Sequence, residues 1–432
     1  MKVMMSESLT DIILRIDAWL DTMRCERGYG GPVAHRWQDC LIYTGPGFDW
    51  RYEGIVSGYL RLYQVTGELR WLAKARRAGD DLLSAQLPDG RYPTSSFEAN
   101  PSPGGTPHEA ACDLALLRLA ACLQELGDPA WKRFLSAARQ NLVHYHIQVL
   151  WDPVSRSFRN SPSDSTLVPN KIATLAQAGF ALAKLEGNDA LLEQYFLPGL
   201  DCVLAAQIVR RGNHLHGAID QSIAGRQPSG RYFPYYVARC VPALLSAFQH
   251  RKAQVYLDAA VSAMEFVFRC QLPDGSFPQV LYANGRRTVE PRWIAACGDI
   301  LCCASLLAPY GFSAAGLIRT EDWLFGGILP SGGVRTASGF SELEFLRPRR
   351  GLPDFRDLLP ACGWVDKAFY YLACQIPAGC QILDSIELEQ ISLPCLFQGE
   401  EGIFSENESC IQVRQPRKGG YRWRKGRAWA DL

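Results

Sequence analysis

An eight-residue phrase, Gln-Leu-Pro-Asp-Gly-x-aromatic-Pro, is written twice in this chain, at Gln86–Pro93 (QLPDGRYP) and Gln271–Pro278 (QLPDGSFP). Each copy follows an apolar helical stretch, RRAGDDLLSA and AVSAMEFVFRC respectively. Two copies of so specific a turn, about three times 60 residues apart, mark a repeat array. Degenerate copies stand at Trp151–Phe158 (WDPVSRSF), Gln207–Ile219 (QIVRRGNHLHGAI) and Gly327–Thr336 (GILPSGGVRT), again at intervals of about 60 residues. The unit is a helical hairpin repeated about six times.

A second helix follows each loop. The six candidates run roughly from Asp49 to Thr66, Pro107 to Leu123, Pro169 to Leu185, Phe233 to Phe248, Pro291 to Leu307 and Asp357 to Ala373. Pro107, Pro169 and Pro291 stand at or just before helix starts, where a missing N–H costs nothing. These helices are richer in Ala, Gly and Cys than their partners, which suits close packing in an inner ring. Alternating β-branched runs bounded by two-residue turns are few. Six hairpins close an (α/α)6 barrel, so the expected fold is an all-α toroid over residues 1–376 with an irregular C-terminal extension over 377–432. Within that extension SIELEQISLPCLFQGEEGIF has some strand character, and the basic run RQPRKGGYRWRKGRAWADL reads as a solvated end. Closure makes residues at the six inner-helix starts neighbours around one cavity.

Composition narrows the partners. At 432 residues the chain exceeds the size at which a single core stops growing, so two domains or one closed repeat is required. Lys+Arg 45 against Asp+Glu 44 offers no field for nucleic acid. The 15 cysteines are odd in number and lack paired metal spacing, and Cys112, Cys122, Cys202, Cys240, Cys297, Cys302 and Cys303 sit on apolar helical faces. They read as reduced, core-filling thiols of a cytoplasmic protein. The start carries no signal-peptide pattern, and no stretch reaches the roughly 20 apolar residues of a membrane span. The amphipathic helix Leu9–Leu20 packs on the barrel or makes a peripheral membrane contact.

Acids and aromatic rings dominate the helix starts. Asp113, in HEAACDLALLRL, lies near the start of an otherwise apolar inner helix, where burial would keep it protonated and able to deliver a proton. His108 and Glu109 precede it and could hold the carboxyl or return its proton; the alternative is that Asp113 bonds backbone groups of its own first turn. Asp354 and Asp357 (LPDFRDLLP) either cap the last inner helix or form a second acidic face. Asp299, and Asp366 beside Lys367, read as structural pairs. The rings of Tyr52, Trp151, Tyr235, Trp293 and Trp364 serve core packing, or together a π-lined cavity worth roughly a kcal/mol or more per ring to a cation. Lys171, Arg239 and Arg292 would meet an anionic group of a substrate. Phosphate-loop, dinucleotide, zinc-protease and nucleophile-elbow motifs are missing, and no metal ligand set or cofactor is implied. Carboxylic acid chemistry is what remains.

The pattern helix, Gln, short spacer, Gly, x, aromatic, in Gln86-Gly90-Tyr92 and Gln271-Gly275-Phe277, resembles the repeated Gln-Trp-type motif of class II terpene cyclases, the squalene–hopene and oxidosqualene cyclase relatives. In that family the Gln bonds helix ends and the ring stacks on the next repeat. Length for one barrel resembles the monodomain class II cyclases of the merosterolic acid synthase type. Of the family's Asp-x-Asp-Asp motif this chain retains only Asp113. The resemblance implies Asp113 as general acid, with Asp357, Asp354 and His108 around it. It implies as substrate a linear isoprenoid or prenylated aromatic compound, cyclised through a carbocation without a metal cluster.

The alternative is a carbohydrate-active enzyme on the same toroid, a glycoside or unsaturated uronyl hydrolase, lyase or epimerase. Paired carboxylates such as Asp113 and Asp357 would then act across the cavity, rings would stack on sugar faces, and the three cations would bind a uronate. A non-catalytic toroid holding a peptide or lipid is the third reading.

Overall fold

The computed structural model describes residues 8–30, 47–93, 104–225, 227–340, 351–360, 362–382, 386–397, 399–415 and 419–426, with the backbone alone at 362–366. Helices alternate between two layers. The outer ones are α1 (Leu9–Thr22), α3 (Leu69–Ala85), α5 (Trp131–Arg139), α7 (Leu197–Ala205), α9 (Gln254–Arg269) and α11 (Leu317–Phe325). The inner ones are α2 (Trp50–Thr66), α4 (Ala110–Glu125), α6 (Pro169–Glu186), α8 (Pro234–Arg251), α10 (Cys297–Leu307) and α12 (Cys362–Gln375). Packing runs α2 on α4, α4 on α6, α6 on α8, α8 on α10, α10 on α12, and α12 back on α2, so the inner ring is closed. One outer helix separates each consecutive inner pair, and the inner helices therefore all point the same way. This is the (α/α)6 toroid.

Local chemistry sets the helix ends. Pro169 and Pro234 open α6 and α8, Asp49 caps α2 by accepting the Arg51 N–H at 3.0 Å, and left-handed Gly67 and Gly187 end α2 and α6. The N-terminal helix starts on a Ser8–Asp11 capping box and buries Ile13, Ile16, Trp19 and Leu20 completely. It packs on α12 and supplies the sixth outer position.

The repeated phrase is the joint between neighbouring outer helices. The Gln86 amide donates to the Gly90 carbonyl of its own turn at 3.1 Å and to the Ala137 carbonyl of α5 at 2.8 Å. Gln207 does the same to Gly217 (3.1 Å) and Ala259 of α9 (2.9 Å), and Gln271 to Gly275 (3.4 Å) and Gly316 (2.8 Å), just ahead of α11. The glycine must be left-handed and bare. At Gly275 φ is 90°, and a Cβ would overlap the Arg319 carbonyl of α11. In the degenerate copy after α11, Gly332 (φ 85°) is seated in the same way against the Arg15 carbonyl of α1, so the outer ring also closes.

Two inner helices begin later than the sequence suggested. Pro291 is followed by an extended pair, Arg292–Trp293 against Ala337–Ser338, and α10 starts only at Cys297. Asp357 ends a single 3-10 turn, Phe355–Asp357, ahead of α12. Past α12 the extension carries a four-stranded antiparallel meander, β1 (Ile391–Phe397), β2 (Glu400–Glu406), β3 (Cys410–Gln415) and β4 (Gly419–Arg424). Buried Glu406 of β2 fastens it to the toroid, accepting from Trp19 Nε1 of α1 (2.6 Å) and Ser331 Oγ (2.6 Å), with Lys425 Nζ 2.8 Å away. The described cysteines are all free, although Cys202, Cys270, Cys302, Cys374 and Cys380 are only half-buried. No helix among the described residues is long and apolar enough to cross a membrane.

The joints differ in tightness, which yields an ordering. A Cβ on Gly90 would sit 2.9 Å from the Gln140 carbonyl oxygen, whereas on Gly275 it would overlap the Arg319 carbonyl outright. Gly90→Ala should therefore lower the unfolding free energy by the left-handed penalty, roughly 1–2 kcal/mol. Gly275→Ala should cost about twice that, because backbone must also move. Urea unfolding of both variants measures the order, and equal losses would remove the seat argument.

Candidate functional site

Each inner helix sends one polar side chain to a common centre. Glu53 of α2 is in the middle, its side chain 3% exposed. Its carboxylate accepts from Arg239 Nη2 of α8 at 2.5 Å and from Lys367 Nζ of α12 at 3.0 Å, with Arg118 Nη1 of α4 at 3.5 Å. Asp299 of α10 stands 3.8 Å from both Arg239 and Lys367. Thr174 of α6 takes the Arg239 Nε–H at 3.2 Å, and Ser57 Oγ takes an Arg118 N–H at 2.6 Å. Burial by itself would push the Glu53 carboxyl up, but Arg239, Lys367 and Arg118 outweigh it and hold it below the usual carboxylate range. Glu53 is a fixed anion.

On the side of the helix starts, aromatic groups cover this cluster. The half-buried Trp50 ring has the Arg239 guanidinium 4.7 Å and the Lys367 ammonium 5.9 Å from its centroid. His108 stacks parallel on it at 5.6 Å, with Nδ1 2.9 Å from Thr106 Oγ1. Beside them Phe233, Tyr235, Tyr236, Phe277 and Trp293 line a cleft at the starts of α8 and α10, and the Tyr235 hydroxyl donates to Asp299 at 3.1 Å. On the other side of the cluster the barrel lumen holds a cavity of about 270 Å³. Among the described residues no group of His, Cys, Asp and Glu is placed to hold a metal ion.

The residues singled out in the sequence are scattered more widely than a common mouth would require. Tyr235, Arg239, Trp293 and His108 do come together around Trp50 and the cluster. Asp113 is completely buried but lines neither the cleft nor the lumen. Burial, then the neighbouring Glu109 carboxylate, push it well above the usual range, and the Tyr92 hydroxyl approaches without reaching hydrogen-bond geometry. Glu109 itself is pushed to about 7 by burial and accepts the Asn141 amide at 3.2 Å. Asp357 accepts the N–H groups of Gly339 (2.8 Å), Phe340 (3.0 Å) and Asp354 (3.2 Å), and Asp354 binds Arg356, so both brace the turn ahead of α12. Tyr52 points outward to Asp81 of α3 (3.2 Å), and Trp151 packs on Tyr195 between outer helices. Arg292 is paired with Asp274 of the second repeated phrase, and Lys171 donates to Asn160 at 3.0 Å. The side chain of Trp364 lies outside the described residues.

Glu53, Trp50, Arg118 and Lys367 are the groups that sequence reasoning undervalued. The first two were available: they are three residues apart on α2, hence on one face, whereas Tyr52 lies on the opposite one. Arg118, an isolated charge in an apolar inner helix, carries the same kind of signal.

No protein-family model matches the sequence, and no curated protein matches it. Among solved structures the chain is similar to cellobiose 2-epimerase from Bacillus thermoamylovorans B4167, at 14% identity over 85% of this chain and 99% of that one, TM-score 0.64. It is similar to D-mannose isomerase (11% identity, 86% and 100% covered, TM-score 0.62) and to an unsaturated glucuronyl hydrolase specific for heparin (11%, 84% and 94%, TM-score 0.58). At these identities the likeness is one of fold. It corrects the resemblance to class II terpene cyclases, because these solved structures of similar fold are sugar enzymes. The isoprenoid or prenylated aromatic substrate, the carbocation and the cyclase activity are withdrawn with it. The lumen agrees: a cation cascade needs a dry apolar chamber with one acid, whereas five charged side chains line this one.

Two outcomes test the electrostatics. Glu53→Gln leaves two buried cations facing a neutral amide, so stability should fall by about 3–5 kcal/mol in urea unfolding; a loss under about 1 kcal/mol would mean that water already screens the cluster. Asp113 has a folded pKa above the unfolded value of about 3.9, so its contribution is full below that value and is lost as pH rises toward the folded one. Asp113→Asn should therefore gain stability relative to wild type as pH rises above about 4. A flat difference would show that the buried carboxyl is not neutral.

Proposed function

We propose that the protein is a carbohydrate-active enzyme that receives a sugar at the helix-start mouth of the toroid. One observation carries this reading: a fixed polar network to which all six inner helices contribute, five of them through charged side chains, lies directly under a wall of aromatic rings. A pyranose has an apolar C–H face and a rim of hydroxyls. The face suits Trp50, Tyr235 and Trp293, and the rim suits the charged donors and acceptors below them.

The proton-transfer groups favour a reaction type. Hydrolysis by two carboxyl groups needs one of them protonated. Glu53 is held ionised, and the described carboxyls pushed toward protonation, Asp113, Glu109 and Asp357 among them, do not line the mouth. The Tyr235 phenol lines the cleft, and His108, though buried, is stacked on the Trp50 ring. Such groups suit isomerisation or epimerisation, in which a base takes the proton from the carbon beside a sugar carbonyl and an acid returns one to the resulting enediol. Arg239 and Lys367 supply positive charge for the oxygen that becomes negative in between. The solved structures of similar fold include a cellobiose 2-epimerase and a D-mannose isomerase.

The test is incubation with free aldoses, ketoses and β-linked disaccharides in deuterated water, followed by NMR. The expected result is a new epimer or aldose carrying deuterium at C2, or a ketose carrying it at C1. His108→Ala should lower kcat by roughly 10²–10⁴, and Trp50→Ala should mainly raise KM. An unsaturated uronide control separates outcomes: its consumption without deuterium exchange replaces isomerisation by hydrolysis, and inertness of both panels sinks the sugar reading.

A further inference from the structure

The lumen cavity is set apart from the mouth. Beyond the charged cluster that forms its inner end, its walls come from Arg118, Pro242, Ser305, Tyr370 and Cys374, near or past the midpoints of their helices. The cluster between it and the rings is closed, with the Glu53, Arg239 and Lys367 side chains no more than 5% exposed. Solvent reaches the cavity from the opposite end, where Leu306 is 45% exposed and the Arg118 side chain 28%.

Its charge is unbalanced. Three cations line it, Arg118, Arg239 and Lys367, against two carboxylates, Glu53 and Asp299. Arg61 and Glu321, which act on Cys374 and Tyr371 at the rim, offset one another. One positive charge is left in a narrow, protein-walled space, where an anion is attracted more strongly than in open water. Arg118 is the cation most open to the cavity. Its Nη1 group serves Ser57 and Glu53, which leaves Nη2 and Nε for a planar, two-oxygen acceptor. The remaining wall, with Pro242, Leu306, Tyr370 and the thiols of Cys302 and Cys303, is uncharged.

We propose that this cavity binds a small organic carboxylate, admitted at the helix-end face and held by Arg118, with a compact apolar body against Leu306, Pro242 and Tyr370. A volume of about 270 Å³ suits one ring and excludes an oligosaccharide. The proposal does not rest on the reading of the mouth as a sugar site, since the cavity opens at the other face and is built around Arg118, although it shares Arg239 and Lys367 with the cluster under the mouth.

Benzoate and its neutral counterpart benzamide are the probes, titrated into the full chain by calorimetry and by ligand-observed NMR. Saturable one-to-one binding of benzoate is expected, with benzamide at least tenfold weaker. Arg118→Met should weaken benzoate at least tenfold. Leu306→Trp, at an exposed rim position that tolerates a larger ring, should block it even if the arginine variant folds poorly. Trp50→Ala should leave benzoate affinity within twofold of wild type. The proposal is overturned if benzoate does not saturate, if benzamide binds as well, or if Trp50→Ala rather than Leu306→Trp removes binding. Sugar turnover at the mouth is a separate readout, so either proposal can fail while the other stands.

Discussion

The contact on which the rest of the structure turns is Glu53 held between Arg239 and Lys367. Taking two carboxylates and three cations out of water costs several kcal/mol per ion, and their mutual attraction roughly repays it when geometry is good. A ring of six helices gains nothing from this in stability that leucines could not supply. What it gains is definition. Charges of opposite sign from α2, α8, α10 and α12 must meet at one point, so the six helix starts are fixed in height and rotation about the axis. The rings at the mouth inherit that precision, because Trp50 rests directly on Arg239 and Lys367.

The outer layer is held by a different chemistry. Three glutamine amides and a series of bare glycine turns each reach the backbone of the next outer helix, so neighbours register through carbonyl oxygens rather than side-chain packing. Closure needs α1 to stand next to α11, and the Gly332 seat on Arg15 accomplishes it. Buried Glu406 then anchors the C-terminal sheet on Trp19, at that same seam. First helix, last repeat and extension share one junction.

These two layers explain what was legible in the chain. The outer joint repeats a local phrase, Gln-Leu-Pro-Asp-Gly, and a local phrase can be read, so the toroid followed from it. The cluster repeats nothing: Glu53, Arg118, Thr174, Arg239, Asp299 and Lys367 are single residues about 60 positions apart, and each reads alone as a solvated charge or a local pair. Lys367 beside Asp366 is the plainest case. The same contrast accounts for the family error, since a Gln–Gly turn reports how outer helices pack and carries no information about chemistry in the lumen. Pro291 misled for a related reason: a proline that opens an extended pair looks the same in sequence as one that opens a helix.

Asp113 shows how a buried acid and a site acid part company. It has the isolation and raised pKa that suit proton donation, but it faces the outer layer with Tyr92 and lines neither the cleft nor the lumen cavity. Glu53 has the opposite character, ionised and saturated with partners, and it lines the lumen cavity while its partners Arg239 and Lys367 lie under the Trp50 ring. A carboxylate at Arg118 and a sugar over Trp50 would draw on that one anion's partners from opposite sides. Binding at either end then changes the field at the other, and linkage requires the factor to be the same in both directions. Communication between the two faces of the ring needs no moving helix, only a shared set of counter-ions.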